Sequence, residues 1–265
     1  MKLQKEVIIN ALANEGFNCE AVQVTKNGTV LEGIRYTPEG ANISPTAYID
    51  ECRTEAEAIE YCKKLFSQPL PEIDTDNLFD KSKLRARIYG AGKATSDIKR
   101  SFLDLEIVAS VLVDMGNGSG SFVLNSNNLS ISGMTEEEVL NVALENSFAD
   151  CQTMNIVEMM KKLSGIPFDE ELPMDVLTNQ NGVPYGAIQM LNVEELATTA
   201  EAFNSDLWIL PSSLHEVIVV PSVLGDAETL RGMVECVNAE EVKAEDKLSD
   251  NVYRFNRSTK TITIA

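Results

Sequence analysis

The sequence is poor in the side chains that build most metal and catalytic sites. Its 265 residues include a single His, His215, and a single Trp, Trp208. The five Cys residues are odd in number, widely spaced and form no Cys-x-x-Cys pair. Because zinc sites and Cys–His catalytic pairs draw on these residue types, the sequence predicts free thiols in a reducing compartment, no metal site and no cofactor.

Long apolar runs are also missing. No stretch reaches the roughly 18 residues that a membrane span needs. The first residues, MKLQKEVIINALANEGF, have charged and helical patterning rather than that of a signal peptide. These two observations predict a cytoplasmic protein, and a hydrophobic content of 44% is too high for a disordered chain.

Basic residues are scarce in the second half of the chain. Residues 134–250 carry 23 acidic and 5 basic side chains, a balance of −18, within a net charge of −19 for the whole sequence. A dense negative surface repels nucleic acid and anionic membranes, and it favours solubility or a basic partner. The sequence therefore predicts no direct binding to nucleic acid or membrane and leaves the oligomeric state open.

The first 66 residues predict a compact unit with the order α-β-β-β-α. Asn27-Gly28 between two alternating runs is a strong signal for a hairpin. Thr54, with Glu57 three residues later, predicts the start of the second helix. The polar, proline-containing stretch 67–83 predicts a linker, followed by a larger body over residues 84–265.

The sequence of the larger body predicts hairpins and helices rather than strict β-α-β alternation. Strand-like runs lie at Phe102–Val113, Met174–Thr178 and Tyr185–Leu191. Thr135 and Glu138 have the spacing of a capping box at the start of a helix. The predicted fold class is therefore α+β, with antiparallel hairpins packed against helices.

The rarest side chains of the sequence are concentrated between Asp206 and Pro221, in a turn between two strand-like runs. Ser213, His215 and Glu216 are residue types of a hydrolase triad, but they are sequence neighbours without a G-x-S-x-G motif. In extended backbone, Ser213 and His215 share a face while Glu216 points the opposite way. A structural turn is favoured, and a hydrolase or transferase using Ser213 and His215 is the alternative.

One predicted helix, over Val193–Phe203, carries part of the acidic surface. Its apolar residues use one face, which leaves the carboxylates on or just after the helix for a basic partner: Glu194, Glu195, Glu201 and Asp206. The competing interpretation is that the charge only keeps the protein soluble.

Several segments resemble one family of unknown function. They are ISPTAYI, FLDLEIVASVLV, MDVLTN, DLWILPSSLHEVIVVP and MVECVNAEEVKAEDKLSDNVYRF. The LPSS-x-HE segment and the LSD-x-VYR tail carry the resemblance, which spans residues 1–257. The family is common in clostridial gut bacteria and is often carried near mobile elements. The resemblance implies a cytosolic, single-chain α+β protein and supplies no catalytic residues.

These observations lead to the hypothesis of a non-enzymatic acidic interaction protein that binds a basic protein surface. The link to mobile elements suggests an accessory or counter-defence factor, because a dense negative face competes for surfaces that normally hold nucleic acid. The hydrolase or transferase remains an alternative, as does a structural or regulatory domain with no charge-based partner.

Overall fold

The computed structural model describes residues 3–41, 43–70, 79–114, 119–165 and 172–265. The chain divides into two compact units, Met1–Leu78 with Val113–Gly120, and Phe79–Leu112 with Ser121–Ala265. The predicted linker, residues 67–83, includes residues 71–78, which lie outside the described residues. The boundaries 1–66, 67–83 and 84–265 therefore remain a prediction.

The first unit has the predicted α-β-β-β-α order. Its elements are α1 (Lys5–Ala13), β1 (Cys19–Lys26), β2 (Thr29–Tyr36), β3 (Thr46–Tyr48) and α2 (Glu55–Phe66). The hairpin turn between β1 and β2 is confirmed, because Asn27 and Gly28 both have positive φ, of 48° and 76°. This conformation matches the right-handed twist of the strands. The three strands form an antiparallel sheet in the order β1-β2-β3.

The core of this unit lies between the two helices and the sheet. The side chain of Thr54 accepts a hydrogen bond from the backbone N–H of Glu57, as its predicted role at the helix start requires. The buried core residues come from both helices and from the strands: Ile8, Leu12, Ile34, Ala47, Ile49, Ala58, Cys62 and Phe66.

The rest of the chain has ten strands and five helices among its described residues. The strands are β4 (Leu84–Gly90), β5 (Arg100–Phe102), β6 (Leu105–Asp114), β7 (Ser119–Val123), β8 (Cys151–Asn155), β9 (Asp175–Asn179), β10 (Leu207–Leu210), β11 (Val217–Pro221), β12 (Tyr253–Asn256) and β13 (Thr261–Ile264). The helices are α3 (Ser126–Ser132), α4 (Glu136–Ala149), α5 (Ile156–Ser164), α6 (Val193–Ala202) and α7 (Ala227–Glu240). Short 3₁₀ helices cover Lys81–Lys83, Gln180–Gly182, Gly186–Leu191 and Ser222–Leu224.

These strands form two sheets. One has the order β4-β6-β5, with β7 also paired to β6, and the other has the order β13-β12-β10-β11-β9-β8. Every pairing within the six-stranded sheet is antiparallel. Antiparallel sheets combined with helices confirm the predicted α+β class. Within the described ranges, no helix has both the length and the apolar character to cross a membrane.

The predicted strand at Tyr185–Leu191 is wrong, because Gly186–Leu191 is a 3₁₀ helix. Tyr185 has a φ of 66°, in the left-handed region, so the backbone is not in a strand conformation at that residue. Ala187, Ile188 and Met190 are completely buried. A short, fully buried apolar run has the same composition in a strand and in a helix, so periodicity does not distinguish them.

Two other elements differ from the sequence prediction. The run Phe102–Val113 is divided, because Leu103 has a φ of 54° and turns the chain between β5 and β6. Strand β8 was not predicted, since its sequence, CQTMN, is short and mostly polar. Its partial exposure explains that composition, because β8 is the outer strand of its sheet.

Candidate functional site

The turn at Ser212-Ser213, here called the Ser-Ser turn, lies beside residues 246–249, where the LSD-x-VYR tail begins. Between β10 and β11, the chain runs antiparallel to residues 246–249, and Ser213 forms a β-bridge with Lys247. The backbone N–H of Leu214 donates to the carbonyl of Asp246 at 2.8 Å, and that of Leu248 donates to the carbonyl of Ser212 at 3.1 Å. The LPSS-x-HE segment and the start of the LSD-x-VYR tail are therefore neighbours in the fold.

Ser213 is buried, with 7% of its surface exposed. Its hydroxyl donates a hydrogen bond of 2.7 Å to Glu216 Oε1 and accepts one of 3.0 Å from the backbone N–H of His215. The expectation that Glu216 points away from Ser213 is wrong. β11 begins only at Val217, so the turn before it is not an extended strand with alternating faces.

The imidazole of His215 has different neighbours from the Ser213 hydroxyl. Its Nε2 lies 3.4 Å from Asp246 Oδ1, and 43% of the side chain is exposed. Its ring lies 5.6 Å from the ring of Tyr185, measured between centroids. Ser213 thus uses its hydroxyl to close the turn, while His215 joins the turn to Asp246. In a Ser-His-acid triad the imidazole contacts the serine oxygen, whereas here the Ser213 hydroxyl contacts the Glu216 carboxylate and the imidazole contacts Asp246.

His215→Ala is expected to lower the free energy of unfolding by about 1 kcal/mol. The variant loses the contact with Asp246 and the ring contact with Tyr185, and both are partly exposed to solvent. Thermal unfolding of the two proteins checks the value. A variant that melts like the wild type but loses a measurable hydrolytic activity would favour the catalytic interpretation.

A buried cation lies next to this turn and was missed from the sequence. Arg87 in β4 is 5% exposed, and its Cζ lies 3.8 Å from the centre of the Tyr185 ring. Its two terminal nitrogens donate to the Tyr89 hydroxyl at 3.2 Å and the Ser121 hydroxyl at 2.6 Å. An aromatic face stabilises a guanidinium, so neutral groups hold this charge in place. Burial is the main reason why the pKa of Tyr89 is raised.

The four predicted interaction residues fall into two pairs. Glu194 and Glu201 are exposed on α6, seven residues apart. Glu195 is half-buried and accepts a hydrogen bond of 2.5 Å from the Thr153 hydroxyl. Asp206 accepts from Arg254 Nη2 at 2.8 Å and from the backbone N–H of Arg257 at 2.9 Å. The bond from the Arg257 N–H and that from the Arg254 side chain lower the pKa of Asp206. Asp206 therefore already has cationic and N–H partners within the chain.

Buried amides fix the start of α6. Gln189 is completely buried, and its Nε2 donates to the Ser147 carbonyl at 2.6 Å and to Asn179 Oδ1 at 2.8 Å. Its Oε1 accepts from Asn192 Nδ2 at 3.2 Å. Asn192 Oδ1 in turn accepts from the backbone N–H of Glu195 and caps the helix. This network of buried hydrogen bonds thus fixes the position of the first turn of α6, which bears Glu194 and Glu195.

Strand β8 and the turn after β9 line an open pocket of about 400 Å³. Its lining is mostly polar and consists of Cys151, Gln152, Thr153, Gln180 and Asn181. Burial raises the pKa of the Cys151 thiol to about 11, and the nearby Glu195 carboxylate adds to this effect. Cys151 is therefore a protonated thiol at neutral pH, which makes it a poor nucleophile.

Comparison with known proteins gives one family. The model of a family of unknown function, DUF5688, matches residues 96–257, which is well over half of the 265 residues. The matched range includes the Ser-Ser turn, α6 and β8. No curated protein and no solved structure matches the chain.

Proposed function

We propose that this chain, which belongs to the family of unknown function DUF5688, is a non-enzymatic acidic protein that binds a basic protein surface. The observation that carries the proposal is the exposure of Glu194 and Glu201 on one face of α6. A separation of seven residues is about two helical turns, so the two carboxylates lie roughly 10 Å apart on the same side. That spacing suits two cationic side chains of a partner.

The charge of the sequence segment that contains this helix supports the same proposal. Residues 134–250 have 23 acidic and only 5 basic side chains. A surface of one sign attracts a partner of the opposite sign and speeds their encounter. The proposal extends to an accessory or counter-defence role for a mobile element, in which the partner is a basic protein that normally holds nucleic acid.

The alternative is a hydrolase or transferase that uses Ser213 and His215. It has weaker support, because the Ser213 hydroxyl contacts Glu216 and the imidazole of His215 contacts Asp246. Both side chains have structural partners that explain their positions.

The test is the salt dependence of binding to a lysine-rich, fluorescein-labelled peptide. We expect the affinity to fall at least tenfold between about 50 and about 500 mM salt, because the Debye length shrinks from about 14 to about 4 Å. Reversing Glu194, Glu195 and Glu201 to Lys is expected to abolish the binding measured at low salt.

A matched control separates the α6 face from general negative charge. Glu136, Glu137 and Glu145 of α4 are exposed and occupy similar positions on their helix, two in the first turn and one near the end. Reversing these three to Lys changes the net charge by the same amount and is expected to leave most of the binding intact. Equal loss in both triple variants would contradict a role for the α6 face, and affinity independent of salt would contradict the proposal as a whole.

A further inference from the structure

The outer edge of β8 is unpaired among the described residues. β8 is the last strand of the six-stranded sheet and pairs on one side with β9. The N–H of Ile156 donates to the carbonyl of Met174, and the N–H of Gln180 donates to the carbonyl of Asp150. In an antiparallel ladder these hydrogen-bonded positions alternate, so the backbone groups of residues 151, 153 and 155 point away from β9.

Thr153 is at the centre of this edge. The carbonyl of Cys151 accepts from the side chain of Gln180 at 2.7 Å, which covers one end of the edge. The side chain of Thr153 turns toward Glu195, and its backbone N–H and C=O face outward. Outward N–H and C=O groups of this kind are a template for another strand.

Three carboxylates lie near β8, those of Asp175, Glu158 and Glu195. Asp175 is the β9 partner of Asn155 and shares its face of the sheet, and Glu158 lies in the first turn of α5. Burial raises the pKa of Asp175, and the negative charges of Glu158 and Glu195 raise it further. Neighbouring like charges destabilise the folded chain, and a cation placed between them relieves the repulsion. Asp150, just before β8, is already paired with Arg85 at 2.5 Å.

We propose that a basic, extended segment of the partner adds to β8 as a further antiparallel or parallel strand, with its Lys or Arg side chains against Glu158, Asp175 and Glu195. This inference rests on the proposed function and extends its binding site from the exposed face of α6 to the neighbouring edge of β8, where Thr153 contacts Glu195. The backbone of the added strand bonds to Thr153, and the open pocket of about 400 Å³ beside Gln152 and Gln180 receives a side chain at the end of that strand.

The opposite edge of the same sheet has the other charge. β13 is also an outer strand, and the turn that leads into it carries Arg257 and Lys260, while Arg254 of β12 is paired with Asp206. A basic segment is repelled from that edge and attracted to β8. Charge therefore selects one of the two edges.

The binding experiment compares three labelled peptides of equal charge against the full chain. The first alternates Lys and Val and favours an extended form, and the second has the same sequence with every second amide N-methylated. The third distributes its lysines along an alanine-rich helix. We expect the extended peptide to bind at low salt and N-methylation of the amides that face β8 to weaken it at least tenfold, since a methylated amide cannot donate.

A pair of substitutions at one position tests the edge in the protein. Thr153→Pro removes the outward N–H and spares the ladder to β9, as proline does on an edge strand. Thr153→Val removes the hydroxyl that contacts Glu195 and keeps the N–H. Binding of the extended peptide is expected to be lost in Thr153→Pro and retained in Thr153→Val, with circular dichroism and thermal unfolding showing that both are folded.

Asp175→Asn separates stability from binding. Because the folded-state pKa of Asp175 is raised, its ionised form is disfavoured, and the resulting loss of stability grows as pH rises through the folded-state pKa. We expect the variant to melt at a higher temperature than the wild type at pH 7. The difference should vanish near pH 3, below the ordinary pKa of an Asp of about 3.9. Its affinity for the extended peptide at pH 7 is expected to fall.

The outcomes distinguish the two proposals. If the helical peptide binds as tightly as the extended one and N-methylation has no effect, strand addition at β8 is wrong while binding of basic surfaces stands. If none of the three basic peptides binds at low salt, both proposals are wrong. Selective binding of the extended peptide that depends on the N–H of Thr153 supports both.

Discussion

Replacing Gly186 with alanine is expected to lower the free energy of unfolding by about 3 kcal/mol or more. A Cβ at this position would lie 2.4 Å from Thr178 Oγ1, 2.5 Å from the carbonyl oxygen of His215 and 2.7 Å from the backbone nitrogen of Asn179. Two of these three atoms belong to the backbone of the six-stranded sheet or its turn, so no rotation of a side chain relieves the contact. The 3₁₀ helix would have to move away from the sheet. Unfolding in urea measures the change.

The same substitution at Gly232 is the control. Gly232 lies in α7, and a Cβ there meets no atom within 4 Å. Alanine is favoured over glycine in a helix, so Gly232→Ala is expected to stabilise the chain by about 0.5–1 kcal/mol. If Gly186→Ala unfolds at the same urea concentration as the wild type, the 3₁₀ helix does not pack against β9 in solution.

The second large effect is expected at Gln189. Gln189→Leu nearly preserves the side-chain volume, but it removes three hydrogen bonds from a completely buried group. The substitution leaves Asn179 Oδ1 without its hydrogen bond from the Gln189 side chain. It also removes the oxygen that accepts from the side-chain amide of Asn192, the residue that caps α6. Unsatisfied buried polar groups cost about 1–3 kcal/mol each, so we expect a loss of about 2–4 kcal/mol.

Gln152→Leu is the matched control for this loss. Gln152 lies on β8 and is partly exposed, so the same change is expected to alter the free energy of unfolding by less than about 0.5 kcal/mol. Equal stability of Gln189→Leu and Gln152→Leu would contradict the buried network. Reduced helical signal in Gln189→Leu with a folded sheet would place the damage at the start of α6.

Local signals in the sequence predicted much of the fold. The turn at Asn27-Gly28 and the capping box of Thr135 and Glu138 are confirmed, because each depends on residues within a few positions of each other. The apolar run at 185–191 gave the wrong element, since its conformation is set by Tyr185 and by the close approach of Gly186 to the chain near His215. No local sequence pattern predicts this contact between Gly186 and the chain near His215.

The candidate site was less predictable, for the same physical reason. Glu195 and Asp206 look like free surface carboxylates in the sequence, but their partners Thr153 and Arg254 lie 42 and 48 positions away. Arg87 alternates with apolar residues as an exposed side chain would, and it is buried because Tyr185 covers it. Such contacts between distant segments become visible only in the folded chain.

The carboxylates beside β8 also affect how copies of this chain behave toward one another. An outer strand with outward backbone groups can pair with the same strand of a second copy, and such pairing can continue into aggregates. At neutral pH the charges of Glu158 and Glu195 repel their counterparts across that contact. Burial raises the pKa of Asp175, and the negative charges of Glu158 and Glu195 raise it further, so acidification neutralises this carboxyl at a higher pH than an ordinary Asp. We therefore expect charge to suppress self-association through this edge at neutral pH, and we expect the suppression to weaken once Asp175 is protonated.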